Sequence, residues 1–307
     1  MVYKTASKRK ALVALTAIGI FFISFSIALA ILYVTKGTGA DVPADDGSVA
    51  PSEDQGDVPD EPEVIINKVD FEPLVQEWGD SIPGATGVII YDLDLDEVDG
   101  EYNADSKFAT ASLYKLFVVY EGYRNIINGD WDGNANAGST GYSISKCLDL
   151  AIRESHSPCA ETLWAMIGRM QLDAVVQNDF GLPNVTVGSL SATPREIMEM
   201  MKIYYYHSDI IDESIVATMK DSFLNQPVTT YNWRQGLPSG FSSDVLVYNK
   251  VGWNWNGSIW TIYDDAAIVE FPELNRHFIV VVMTSGVPFQ QITNLGTRIE
   301  NLVKGQS

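Results

Sequence analysis

The sequence predicts an α+β fold: an antiparallel sheet of about five strands flanked by helices, with a helical subdomain carrying a candidate nucleophile. Two observations lead there. Two short apolar strands are followed by a block of helical periodicity, and then by hairpin-linked strands closing on an amphipathic helix. Within the helical block, the stretch from Ser112 through Leu116 to Tyr120 is apolar almost all the way round, which puts it at the domain centre.

In chain order, Phe71 to Trp78 has helical spacing, and Gly87 to Asp92 reads as a buried strand. An acidic turn and a short strand near Glu101 and Tyr102 precede the helix that starts near Ser112. Asn128-Gly129-Asp130 and Gly133 to Asn136 are turn chemistry. Ser143 to Arg153 is helical, and Ser157 caps a further helix, Cys159 to Met170, with Pro158 at its first position. Thr193-Pro194-Arg195-Glu196 opens a helix to Tyr206, and Glu213 to Phe223 forms another. Strands are predicted at Val245 to Lys250, Ser258 to Tyr263, Ala266 to Phe271 and Phe278 to Thr284, with Gln290 to Val303 as the closing helix.

The first 67 residues divide by composition. Residues 1–10 form a basic tail, and Ala11 to Val34 carries no charge and is long enough to span a bilayer. Lys4, Lys8, Arg9 and Lys10 hold that end in the cytoplasm and send the rest outside the cell membrane. A signal cleaved after Ala28-Leu29-Ala30 is the competing reading. Residues 35–67 form a linker with nine acidic residues and no basic one between Asp41 and Glu63, a self-repelling tether. The folded domain is then 68–307. A net charge of −20 argues against a nucleic-acid partner, because binding phosphate needs a basic footprint.

Ser112 and Lys115 are three apart and project from one helix face. Burial favours a neutral lysine amine, by up to about 3–5 pKa units, and that amine can take the serine proton. Ser-x-x-Lys also occurs at Ser7/Lys10 in the basic tail and at Ser143/Lys146 on a polar helix; only Ser112/Lys115 lies on the central one. Further on, Ser155 stands at a corner between helices, and Lys250 ends a strand and leads into Val251-Gly252-Trp253.

Ser-x-x-Lys, a serine corner and Lys-x-Gly on a strand, in this order, resemble the penicillin-recognising serine acyl-enzyme family, and class A β-lactamases most closely. The resemblance runs from about Val69 to Val303 and includes Ser191 to Arg195 before a helix and Asp264 to Val269 after the Lys-x-Gly strand. It implies a β-lactamase/transpeptidase-like fold acting on a β-lactam or a peptidoglycan stem peptide, without a cofactor. Ser112 would be the nucleophile and Lys115 its proton acceptor. Ser155, helped by Lys250, would protonate the leaving nitrogen. The backbone N–H groups of Ser112 and Trp253 would form the oxyanion hole, with Gly252 keeping the strand edge clear for substrate.

Three positions depart from the family pattern. Ser155-His156-Ser157 stands for Ser-Asp-Asn, so Ser157 replaces an asparagine that binds substrate. Lys250-Val251-Gly252 stands for Lys-Thr-Gly, and Val251 lacks the hydroxyl that meets the substrate carboxylate. The Ω-loop glutamate that drives deacylation is missing: between Glu161 and Glu196 only Asp173 and Asp179 are acidic. Asp173 reads as solvated and Asp179 as part of a turn. Three functions therefore stay open: a β-lactamase slow to deacylate, a D,D-carboxypeptidase/transpeptidase, or a non-catalytic binding or sensor domain.

Other signals are weaker. Cys147 and Cys159, the only cysteines, are on the exported side, where a disulfide is permitted, but their spacing does not establish contact. His156, His207 and His277 lack ligand spacing, so no metal is expected. Trp253, Trp255 and Trp260 either wall a groove or pack in the core.

Overall fold

A computed structural model describes residues 67–229, 231–255 and 260–306, without the side chains of Trp255 and Trp260. The predicted anchor at 11–34 and nearly all of the linker lie outside the described residues. No helix among those described is long and apolar enough to cross a membrane.

Five antiparallel strands form the central sheet: β1 (Ala85–Asp92), β2 (Glu97–Tyr102), β5 (Leu246–Trp255), β6 (Trp260–Phe271) and β7 (Arg276–Ser285). Their order is β2-β1-β7-β6-β5, and β3 (Phe108–Ala109) pairs with β4 (Ser191–Ala192) in a separate ribbon. Among the described residues eight α-helices accompany them: α1 (Glu72–Ser81), α2 (Lys115–Ile127), α3 (Ile144–Arg153), α4 (Ser157–Ile167), α5 (Arg169–Asn178), α6 (Pro194–Tyr206), α7 (Glu213–Leu224) and α8 (Phe289–Val303).

The sheet separates two apolar cores. On one face, Leu74, Val75 and Trp78 of α1 and Ile292, Leu295 and Ile299 of α8 meet Val88, Val280 and Val282. On the other, Ile89, Val281 and Met283 meet the helical subdomain, with Leu116 to Tyr120 of α2 at its centre. With both faces covered, β1 and β7 read as nearly continuous apolar runs.

Three local expectations are corrected. The helix predicted to reach Met170 stops at Ile167, because Gly168 turns at φ +95° and α5 begins as a new helix. Its cap is His156, whose Nδ1 accepts from Cys159 N at 3.3 Å; Ser157 is the first helical residue. The strands predicted at Ser258 to Tyr263, described from Trp260 onward, and at Ala266 to Phe271 are one strand, Trp260–Phe271, with Asp264 and Asp265 buried in its middle. Hydrogen bonds make that possible: Asp264 Oδ1 accepts from Thr284 N at 2.8 Å, and Asp265 accepts from Asn249 Nδ2 at 2.9 Å and Leu237 N at 2.8 Å.

Candidate active site

Ser112 lies in a single 3₁₀ turn, Ala111–Tyr114, and α2 proper begins at Lys115. Ala111 before it has φ +39°, a conformation that costs a non-glycine residue energy and sharpens the entry to the turn. Outer strand β5 closes on this turn at Gly252. A Cβ there would sit 2.5 Å from Thr110 O and 2.9 Å from Leu113 Cγ, the residues flanking Ala111 and Ser112. Glycine is thus required by the chain's own turn, whereas the sequence reading assigned that space to the substrate.

The two lysines meet at the corner between α3 and α4. Lys115 Nζ donates to Ser155 O at 2.5 Å, Ser155 Oγ at 3.1 Å and Ser157 Oγ at 3.1 Å. Lys250 Nζ donates to the same Ser155 Oγ at 2.9 Å and to Val251 O at 2.8 Å. The Lys115 amine thus reaches three acceptors of the corner. Ser155 holds φ +52°, with its carbonyl accepting from Lys115 and its hydroxyl from both lysines.

Both lysines are buried, at 0% and 1% exposure. Desolvation pulls the Lys115 amine down to about 8, opposed by the Glu161 carboxylate. Lys250 is also driven well below its ordinary range, by burial first and then by Lys115, with Asp265 acting the other way. Burial pushes Asp265 up to about 7. A lysine that gives up its proton near neutral pH can serve as a general base.

Val251 is 1% exposed and shares the strand face of Asn249, away from Lys250 and Gly252, so its side chain offers the cleft no surface. Trp253 belongs to an aromatic cluster, 5.3 Å from Trp233 and stacked 6.1 Å from Phe289. Asp173 is half-buried, and its Oδ1 accepts from Val187 N at 2.7 Å and fixes the turn after α5. Asp179 pairs with Arg124 at 3.5 Å.

Sequence reasoning missed two supporting groups. Behind Lys250 lie Asp265, Asn249 and Arg234, and the only sequence signal was the improbable Asp264-Asp265 pair inside an apolar strand. Beside Lys115, Tyr114 OH donates to Glu161 Oε1 at 2.7 Å, and Arg169 holds the other carboxylate oxygen at 2.7 Å.

The fold has counterparts among solved structures. A class A β-lactamase from Bacteroides cellulosilyticus superposes with a TM-score of 0.65 at 15% identity, covering 78% of this chain and 100% of that one. PBP-A gives 0.63 at 16%, covering 76% and 95%, and a halotolerant bacterial β-lactamase gives 0.62 at 15%, covering 75% and 98%. No curated protein matches the sequence. The fold is that of the class A serine β-lactamases. The chain belongs to the beta-lactamase enzyme family, whose sequence model matches residues 70–137 and 130–303.

Proposed function

We propose that this is a membrane-anchored, extracytoplasmic serine hydrolase that forms an acyl-enzyme on Ser112 with β-lactams or D-Ala-D-Ala peptides, and that it deacylates β-lactams slowly. The observation that carries this reading is the Lys115–Ser155–Lys250 chain, with Ser155 Oγ 3.1 Å from one amine and 2.9 Å from the other. Ser112 Oγ attacks the carbonyl carbon, and its proton passes to neutral Lys115. The oxyanion is held by the N–H groups of Ser112 and Trp253. Ser155 gives its proton to the departing nitrogen and is reprotonated from the lysines on either side.

Slow deacylation follows from the surroundings of the ester. A positioned base speeds such a step by about 10²–10⁴, and Asp173 and Asp179 are engaged elsewhere, with Val187 and Arg124. That leaves the amines for both half-reactions. The same observation favours D,D-peptidase chemistry as the second reading.

Incubation with benzylpenicillin, followed over time by mass spectrometry with nitrocefin turnover in parallel, tests both. A lasting adduct on the Ser112 peptide, lost in Ser112→Ala but kept in Ser143→Ala, is expected, with a burst of nitrocefin hydrolysis and near-arrest. An adduct that survives Ser112→Ala overturns the assignment. Sustained turnover near about 10 s⁻¹, the enzyme median, overturns slow deacylation. Release of the domain from intact cells by protease, leaving a membrane stub, is expected of the anchor; a secreted product beginning after Ala30 would refute it.

A further inference from the structure

Cys147 on α3 and Cys159 on α4 are joined by a disulfide, and both are wholly buried. The loop it closes contains the whole Ser155-His156-Ser157 corner. Within that loop lie the acceptors of all three Lys115 hydrogen bonds and the hydroxyl that Lys250 reaches. The corner is conformationally expensive, since Ser155 occupies the left-handed region at φ +52°. It also carries an imidazole rather than a Ser, Thr or Asp side chain as helix cap, through a long 3.3 Å bond to Cys159 N. The cap thus acts on the very residue that the disulfide ties to α3.

We propose that the Cys147–Cys159 disulfide is a positioning element for the reaction, holding Ser155 and Ser157 against Lys115 and Lys250, so that acylation competence depends on the oxidised bond. The inference rests on the functional reading above. Without the bond, α3 and α4 can separate at the corner, the two serines relax from the lysines, and water reaches Lys115. The groups that then set the Lys115 charge are Lys250 from β5, Glu161 from α4 and Tyr114 from its own turn, with Asp265 acting on Lys250.

Two variants test this. Cys147→Ala/Cys159→Ala removes the bond and leaves space, whereas Cys147→Val/Cys159→Ala refills part of it with apolar volume. Acylation by a fluorescent penicillin should be at least tenfold slower in both, and the pH midpoint of the rate should move up by a unit or more. Better packing should raise the melting temperature of the valine variant without restoring its rate. Rate and midpoint at wild-type levels in either folded variant would overturn the proposal, because the bond would then serve stability alone. If neither variant folds, wild-type protein reduced with dithiothreitol in urea and refolded in its presence, with both thiols verified free by mass spectrometry, is held to the same criteria. The Lys115 titration is also followed by NMR of ¹³C-labelled lysine, which needs no turnover. A wild-type protein that is never acylated would sink the functional reading, while the NMR midpoint would still decide whether the bond positions the corner.

Discussion

Lys250 Nζ donates to Ser155 Oγ across 2.9 Å, joining outer strand β5 to the α3–α4 corner. The same hydroxyl accepts from Lys115 at 3.1 Å, so three residues far apart in sequence act through one oxygen. Lys250→Ala and Ser155→Ala should each slow acylation by about 10²–10⁴, the usual worth of a positioned proton donor. Groups that act as a unit lose their effect together. The double variant should therefore be no slower than the worse single one, as read by stopped-flow fluorescence. Multiplying losses would mean that the two do not share a step.

Acylation should rise with pH. The neutral Lys115 amine is the active form, and burial lowers its pKa to about 8, so the rate should climb through pH 7 and level off above 8. Glu161 raises the Lys115 value, so Glu161→Gln should shift the midpoint downward. An unmoved midpoint would show that the carboxylate does not reach the amine.

Stability should follow the same titration with a defined sign. Folded Lys115 titrates near 8 and the unfolded residue near 10.5, so the unfolded chain binds more protons between those values. Folding is therefore penalised in full below pH 8, by about 3 kcal/mol at 1.36 kcal/mol per unit, and the penalty fades as pH rises to 10.5. Lys250, lowered in the same direction, adds to the rise. Urea titrations of Lys115→Met should give a shallower increase between pH 8 and 10.5 than wild type. Equal slopes would refute the buried neutral amine.

Gly252→Ala tests how closely β5 approaches the nucleophile's turn. Its Cβ would fall 2.5 Å from Thr110 O, a backbone atom that cannot swing aside. The strain should cost about 1–3 kcal/mol and displace the strand, slowing acylation at least tenfold. A variant with wild-type melting temperature and rate would mean that the strand sits farther out.

Val251→Thr should not improve acylation. The side chain is buried beside Asn249, and a hydroxyl there costs about 1–3 kcal/mol unless it finds a partner. A faster reaction with carboxylate-bearing β-lactams would place position 251 in the cleft after all.

Order along the chain carries much of this protein. Helices such as α6, with its Thr193–Glu196 capping box, and the α+β succession are signals of spacing and capping that need no distant partner. The motif order around Ser112, Lys115, Ser155 and Lys250 was legible for the same reason. Other features depend on groups tens of residues away. Asp264 and Asp265 read as a break because isolated carboxylates do not belong inside a strand; Thr284, Asn249 and Leu237 keep them there. Spacing put Lys115 on the same helix face as Ser112, but it could not show the Ser155 carbonyl and the two hydroxyls that hold the amine at the corner. A buried ammonium must satisfy its donors wherever acceptors converge, and only the folded chain brings those acceptors together.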